Sequence, residues 1–217
     1  ADSWYLREWA GVDPQTGSPL WYKTVKDEKG NVTRETTNKY EEADQVVTGT
    51  FTPKFFGGFS TNLLWKQFDM NAVFAYSVGG KIYNYTRSEY DSDGAYTDRN
   101  QMKLMSGWKR WEKPGDVATH PLPAYNNSSN SNKASSRYLE DGTYLKLRSL
   151  SFGYNFSLSK YHISNLRIYL SGENLLTFTG YSGVDPEIPP YDNKIVGVTT
   201  TVYPSTRKFI AGINLTF

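Results

Sequence analysis

Short and long connections alternate between the strand candidates of this chain, and this alternation restricts the folds open to it. Apolar and polar residues alternate with a period of two in several segments, a pattern typical of strands with two chemically different faces. These predicted strands cover residues 4–10, 54–65, 68–79, 143–156, 163–177 and 206–217. An antiparallel meander places successive connections at opposite ends. We therefore expect every short turn at one end of the sheet and every long loop at the other.

The connections differ strongly in length. The short joins are residues 66–67 and 157–162, and the long connections are residues 11–53, 80–142 and 178–205. Tight turns on one side and large loops on the other are the layout of a transmembrane β-barrel. The predicted fold class is therefore all-β, an antiparallel transmembrane β-barrel sector with long extracellular loops.

The surface chemistry of the strands supports this fold class. Alternate residues of the last strand form an apolar stripe, which consists of Phe209, Ala211, Ile213, Leu215 and Phe217. Lys208, Asn214 and Thr216 share the opposite face, as lipid on one side and a polar interior on the other require. An apolar terminal stripe is the kind of pattern that barrel-assembly machinery recognises. We predict Phe209, Ile213, Leu215 and Phe217 as this assembly signal.

The strand over residues 143–156 departs from simple alternation. Leu145 and Leu147 have one parity, whereas Leu150 and Phe152 have the other. One extra residue in a strand reverses the faces of all residues that follow it. The sequence therefore predicts a β-bulge near Arg148-Ser149.

Composition excludes several classes of protein. The chain contains no apolar run approaching the ~20 residues of a membrane-spanning helix. It has no cysteine, which removes disulfides and thiol chemistry. Its net charge of +2 is too small to indicate nucleic-acid binding.

Two alternatives remain open at this stage. A soluble carbohydrate-binding β-sandwich module would also have amphipathic strands and aromatic loops, and an oligomer of small fragments would form an autonomous barrel. The absence of a leader at the start of the sequence favours a piece of a longer polypeptide. Six strands are also few for loops of this size.

Several segments resemble one family closely, in order and at its spacing. They are TGTFTPKFFGGF (48–59), FDMNA (68–72), GGKIYN (79–84), SRYLEDGTYLKL (136–147), GYN (153–155), GENLLTFT (172–179), YSGVDPE (181–187), YP (203–204) and GINLTF (212–217). The series is similar to the late barrel of SusC/RagA-type TonB-dependent outer-membrane transporters. By this resemblance the chain is identified as a member of that family.

The resemblance implies a barrel of about 22 strands closed by an N-terminal plug. Residues 1–217 would be the C-terminal part, about the last six strands, with the plug and earlier strands absent. The implied function is active import of oligosaccharides or oligopeptides across the outer membrane of a Gram-negative bacterium. The implied partners are a SusD-like surface lipoprotein, the TonB complex through the absent N-terminal part, outer-membrane lipid and the barrel-assembly machinery. No cofactor is implied.

The connection over residues 80–142 is the predicted place of function, because long loops usually carry function or are disordered. A short helix is expected from Asp98, with Met102, Met105, Trp108 and Trp111 at three-residue intervals. Its apolar side is expected to pack against neighbouring loops. If cargo binds in this loop, the predicted ligand-binding residues are Trp108, Trp111 and Tyr125, because flat aromatic faces suit sugar rings and peptides.

The sequence predicts no catalytic residue and no metal site. His120 and His162 are the two histidines, and neither belongs to a nucleophile motif. The segment Asp91-Ser92-Asp93-Gly94 resembles a calcium loop only faintly, because its twelfth position is a methionine, so a turn with solvated aspartates is expected. Asp185 and Glu187 form a chance pair of acids. Enzymatic function is not predicted.

Overall fold

Nearly all regular structure in this chain is β-strand. The computed structural model describes residues 2–158, 163–187, 197–199, 203 and 205–217. The strands are β1 (Ser3–Arg7), β2 (Trp9–Val12), β3 (Pro19–Lys26), β4 (Val32–Thr37), β5 (Gln45–Thr50), β6 (Phe55–Trp65), β7 (Phe68–Val78), β8 (Lys81–Asn84), β9 (Leu139–Asp141), β10 (Tyr144–Leu158), β11 (Ile163–Thr179), β12 (Val198–Thr199) and β13 (Lys208–Thr216). The helical segments are α1 (Tyr85–Tyr90) and the 3-10 turns Tyr40–Glu42, Tyr125–Asn127 and Ser136–Tyr138. Among the described residues, no helix has the length and apolar character needed to cross a membrane.

The chain divides into two compact units. The first, here called the loop unit, comprises Ala1–Thr52, Lys81–Glu140 and Ile188–Thr201. The second, here called the sheet unit, comprises Pro53–Gly80, Asp141–Glu187 and Val202–Phe217. The long connection after β7 thus belongs mainly to the loop unit, whereas the connection after β11 is divided between the two units.

The sheet unit contains one five-stranded antiparallel sheet in the order β13-β11-β10-β7-β6. Five of the six predicted strands are confirmed here, each within two residues at both ends. β6 and β7 are joined by a two-residue turn, with Trp65 paired to Phe68 and Lys66 at a φ of 55°. β10 and β11 pair as far as Leu158 and Ile163. The remainder of that predicted short join, residues 159–162 with His162, lies outside the described residues.

The predicted bulge in β10 is confirmed. The pairing register shifts between Leu147 and Ser149 against both neighbouring strands, β11 and β7. Against β7 the extra residue lies in β10, because Leu147 and Ser149 pair with the adjacent Phe74 and Val73. Against β11 the extra residue lies in β11, because the same two residues pair with Leu176 and Glu173. The bulge keeps leucines before and after it on the same face of the sheet.

One face of this sheet is apolar and uncovered within the sheet unit. Exposed apolar side chains on that face come from β6, β11 and β13, among them Leu63 (56% exposed), Leu170 (65%), Phe178 (58%) and Phe209 (78%). The rings of Phe59 and Phe74 stack across the β6–β7 pair with centroids 4.7 Å apart. Isolated exposed apolar residues are ordinary, but a contiguous apolar face indicates contact with lipid or another protein.

The loop unit is built from small sheets around an aromatic centre. Within it, β1 pairs with β5, β2-β3-β4 form a meander, and β8 lies between β12 and β9. Trp21 is fully buried, and its ring contacts those of Trp9 and Tyr40 edge-on at 5.7 Å and 5.4 Å. These contacts give the unit its own hydrophobic core.

The strand predicted over residues 4–10 is confirmed as β-structure on either side of Glu8, but it was wrong as one continuous strand of the barrel sheet. β1 ends at Arg7 and β2 begins at Trp9, and they pair with β5 and β3 instead of joining the five-stranded sheet. The break occurs because the Trp9 N–H donates to the Ser136 hydroxyl at 2.9 Å, while the Glu8 carbonyl accepts from Tyr22. The alternation of apolar and polar residues indicated a strand with two different faces, but it does not indicate which strand pairs with it.

The predicted helix from Asp98 to Trp111 was also wrong. That stretch is irregular, and Gly107 at a φ of 83° closes a turn in which the Trp108 N–H donates to the Met105 carbonyl. A left-handed glycine ends helical geometry at this point. The α-helix of this connection is α1, where the Asn84 side chain accepts from the Arg87 N–H at 3.0 Å.

Candidate functional site

The polar face of the five-stranded sheet carries ion pairs that cross the strands. Arg167 on β11 donates from Nε to Asp69 Oδ2 on β7 at 2.9 Å, spanning β10 between them. Asn155 on β10 donates to the same oxygen at 2.7 Å. A Cβ on Gly153 would lie 2.6 Å from Asp69 and 2.7 Å from Arg167. A glycine at this position therefore leaves room for the pair to pass over β10.

A second charged cluster lies where the β11–β13 connection meets this face. Lys146 on β10 is 2% exposed and donates to Asp185 at 2.8 Å and to Glu187 at 3.3 Å. Arg148 also pairs with Glu187, and the Ser205 hydroxyl donates to Asp185 at 2.7 Å. Burial raises the pKa of Asp185, but the hydrogen bonds from Lys146 and Ser205 outweigh it and hold the pKa below its ordinary value.

The acid pair at 185 and 187 is thus bound to cations. A general acid in glycosidic cleavage needs a raised pKa, whereas the pKa of Asp185 is lowered. The partners of Asp185 and Glu187 are Lys146 and Arg148, two basic residues of β10. These basic residues were the available sequence signal for the pairing.

Beside this cluster is a polar cavity of about 340 Å³. Its lining includes Lys146, Thr177, Asp185, Ser205 and Arg207. The sequence did not single out Arg207 or the cavity, because the cavity is formed by residues distant in the chain. We call this space the Arg207 cavity.

The loop unit contains a buried network of charged side chains. Asp91 and Asp93 have no exposed side-chain surface. His120 Nε2 lies 2.8 Å from Asp91 Oδ2, and Arg110 donates to Asp93 at 2.8 Å. Arg137, 2% exposed, pairs with Asp93. The expectation of solvated aspartates was therefore wrong, because these carboxylates are buried and bound to cations.

The network explains the titration of Asp91. Burial alone raises the pKa of this carboxyl, but the hydrogen bond with His120 and the charges of Arg137 and Arg87 outweigh it, so the pKa lies below 3.8. Nearby positive charges favour the ionised form of a buried carboxyl, so the network is stable only while Asp91 stays ionised. In the described part of the chain, no group of three or more His, Asp or Glu side chains has the arrangement of a metal site.

The three predicted ligand residues occupy different environments. Trp108 is half-buried, with its ring 4.9 Å from that of His120 and 4.3 Å from the Arg87 guanidinium. Trp111 is 8% exposed and donates its indole N–H to the Pro14 carbonyl at 2.9 Å. Tyr125 is 79% exposed at the start of a 3-10 turn. Trp108 and Trp111 both contact His120. The Trp108 ring packs against the His120 ring, and the Trp111 backbone N–H donates to the His120 carbonyl.

The last strand displays the predicted assembly residues outward. Phe209, Ile213, Leu215 and Phe217 are 78%, 64%, 50% and 84% exposed. β13 pairs only with β11 among the described strands, so it forms one edge of the sheet. The stripe therefore has the exposure that recognition by another protein requires.

Comparison with known proteins finds TonB-dependent receptors and a peptide transporter. The chain is 39% identical over 184 residues to TonB-dependent receptor P3 of Formosa agariphila, covering 81% of the chain and 17% of that relative. It is 21% identical over 224 residues to TonB-dependent receptor SusC of Bacteroides thetaiotaomicron, covering 100% of the chain and 19% of SusC. The solved structure of the RagAB peptide transporter matches 99% of the chain and 23% of its own chain, with a TM-score of 0.77 and 29% identity.

No protein-family model matches the chain. The chain spans less than a fifth of the length of these two curated relatives. The structural match nevertheless extends over both units, since it covers 99% of the residues.

Proposed function

Because the chain belongs to the SusC/RagA-type TonB-dependent receptors, which are outer-membrane β-barrel proteins, we propose that it forms part of an active importer of large nutrients. The cargo class is oligosaccharides or oligopeptides. The homologues are transporters and receptors, which is consistent with a function other than catalysis.

The observation that carries this proposal is the division of the five-stranded sheet into two faces. One face exposes Leu170, Phe178 and Phe209, while the other carries the Asp69–Arg167 pair. Lipid on one side and an aqueous passage on the other account for both faces together. A carbohydrate-binding β-sandwich would instead cover its apolar face with a second sheet, and the described sheet unit contains a single sheet.

In this proposal the chain supplies the C-terminal strands of a barrel of about 22 strands. The N-terminal plug and the TonB-contacting segment come from the remainder of the polypeptide. β6 and β13 are the outer strands of the described sheet, and each pairs with another strand of the complete barrel, because unpaired backbone groups in lipid cost several kcal/mol each.

A SusD-like surface lipoprotein is the proposed partner at the outer face. The relative described as the RagAB peptide transporter supports this partnership. The TonB complex supplies energy from the opposite side. The barrel-assembly machinery is proposed to recognise Phe209, Ile213, Leu215 and Phe217, and nucleic acid is not a proposed partner.

Within the loop unit, Trp108, Trp111 and Tyr125 stay the predicted cargo contacts. Their environments rank them: Tyr125 offers its ring to solvent, whereas Trp111 is almost fully buried. We therefore expect Tyr125→Ala to weaken cargo binding most directly. Trp111→Ala is expected to act through the packing of the loop.

The experiment is uptake by the native bacterium with the full-length gene deleted and then restored. Fluorescent oligopeptides and oligosaccharides too large for ordinary porins are supplied to cells with and without TonB. We expect uptake of at least one probe class to require both the full-length gene and TonB. Undiminished uptake of every probe in the deletion strain would contradict the proposed function.

A further inference from the structure

The Arg207 cavity combines a rigid wall with loop-derived residues. Lys146 and Thr177 come from the polar face of β10 and β11, and Asp185, Ser205 and Arg207 come from the connection between β11 and β13. The loop side is attached to the wall through the Lys146–Asp185 pair and the Ser205–Asp185 hydrogen bond. The cavity is therefore pre-formed, which lowers the entropy lost when a ligand binds.

The charges of the cavity do not balance. Lys146 and Asp185 neutralise each other at 2.8 Å. Arg207 is exposed and also lines the cavity, yet its guanidinium contacts no carboxylate in the described part of the chain. The neighbouring Lys208, by contrast, pairs with Glu173 at 3.1 Å. One positive charge is thus left available to a ligand.

The available charge is of a kind that selects for carboxylates. A guanidinium presents its N–H donors in a planar fork that matches the two oxygens of a carboxylate. The cavity also offers the hydroxyl of Thr177 and the amide of Asn174, whose Nδ2 donates to the Thr206 carbonyl at 3.2 Å. A single free positive charge beside Asp185 suits a monoanion better than a dianion.

We propose that the Arg207 cavity binds a carboxylate group of the imported cargo, and that Arg207 is the residue that determines this specificity. The inference rests on the proposed import function, since it requires the polar face to meet cargo. Two sources share this chemistry, the C-terminal carboxylate of an oligopeptide and the uronate of an acidic oligosaccharide.

The test is equilibrium binding to the intact, detergent-purified transporter. Four probes are used: an N-terminally labelled octapeptide of Gly, Ser and Ala with a free C-terminus, its C-terminal amide, labelled tetragalacturonate and labelled maltotetraose. We expect the carboxylate member of at least one pair to bind about tenfold more tightly than its neutral counterpart, the size of one charge-assisted hydrogen bond. The pair that shows this preference identifies the source of the carboxylate.

Three variants connect the preference to one residue. Arg207→Gln should remove the preference while leaving binding of the neutral probe unchanged, and Arg207→Lys should restore part of it because the charge returns without the fork. Lys208→Gln is the matched control, since it removes the same charge at the next residue, outside the cavity lining. It should keep the full preference.

The outcomes separate the two proposals. Equal binding of carboxylate and neutral probes to the wild-type transporter, or a preference that survives in Arg207→Gln, overturns the role of Arg207 while import stands. If the wild-type transporter binds none of the four probes, and deletion of its gene leaves uptake of all of them unchanged, both proposals are overturned. If Lys208→Gln loses the carboxylate preference as fully as Arg207→Gln does, the role of Arg207 and its cavity is likewise contradicted.

Discussion

The loop unit and the sheet unit place charge and apolar surface in opposite ways. In the loop unit, Asp91, Asp93 and Arg137 lie in the interior. In the sheet unit, apolar side chains such as Leu170 face outward, and the Asp69–Arg167 pair lies on the opposite face. Each unit is therefore suited to different surroundings. A charged interior needs complete pairing, whereas an outward apolar face needs a lipid environment.

The largest effect is expected from breaking the charged interior. Arg137→Ala leaves Asp93 and Asp91 buried without their most enclosed cation, at a cost of about 3–5 kcal/mol. Hydrogen exchange of the full-length transporter should show loss of protection in α1 and residues 108–120, while the sheet unit keeps its protection. Arg99→Ala is the matched control, because Arg99 is 43% exposed and pairs with Glu89 at the surface. It should cost less than about 1 kcal/mol.

The second effect comes from placing charge on the apolar face. Leu170→Arg should destabilise the barrel by about 2–4 kcal/mol, because the guanidinium would lie in the hydrocarbon. The measurement is the temperature at which the outer-membrane protein loses its folded mobility on a detergent gel. Ser171→Arg puts the same side chain on the polar face of β11 and should change that temperature far less. Equal losses in both variants would count against an apolar face in lipid.

A third, smaller effect is expected from acid. The pKa of Asp91 is lowered in the folded state, so its stabilising contribution is complete above the ordinary value of 3.8 and is lost as pH falls through the folded pKa. Arg87 and Arg137 face this carboxyl and lose the negative charge between them once it is protonated. Protease cleavage of the loop unit should therefore increase below pH 3.8. Asp91→Asn should show the increase at neutral pH, and indifference of the wild type to acid would contradict the network.

The smallest effect is expected at the ion pair over β10. Gly153→Ala introduces a Cβ 2.6 Å from Asp69 and 2.7 Å from Arg167, so both flexible ends must move. We expect a loss of about 1 kcal/mol in barrel stability, within the ordinary range for a single substitution. Thermal unfolding of the full-length protein measures it. Asp69→Asn in the Gly153→Ala background should then add little, because the pair is already displaced.

The sheet unit was largely predictable from the sequence, because lipid and polar surroundings impose a strict period of two. That period set the limits of β6, β7, β10, β11 and β13 within two residues, and the change of parity beside Arg148 located the bulge. The candidate site was less predictable. Asp185 and Glu187 were visible as acids, but Lys146 lies 39 residues from Asp185 in the chain, and periodicity does not report such contacts.

The loop unit was poorly predictable for the same physical reason. Its stability depends on long-range pairs such as Arg137 with Asp93, 44 residues apart, and on the irregular turn at Gly107. The three-residue spacing of Met102, Met105 and Trp108 resembles that of a helix, although the stretch is irregular and Met105 is 42% exposed. The arginines and aspartates of the network all come from this one connection, and their shared origin was the available signal of a charged interior.

The glycines of the polar face have a consequence for the space beside it. The Tyr169 ring lies over Gly212, where a Cβ would come within 2.4 Å of it, and Arg167 reaches across Gly153 in the same manner. These long side chains therefore lie flat along the wall instead of projecting from it. In the proposed importer, the width of the passage beside this wall depends on these two glycines, because a side chain at Gly153 or Gly212 would push Arg167 or Tyr169 away from the wall.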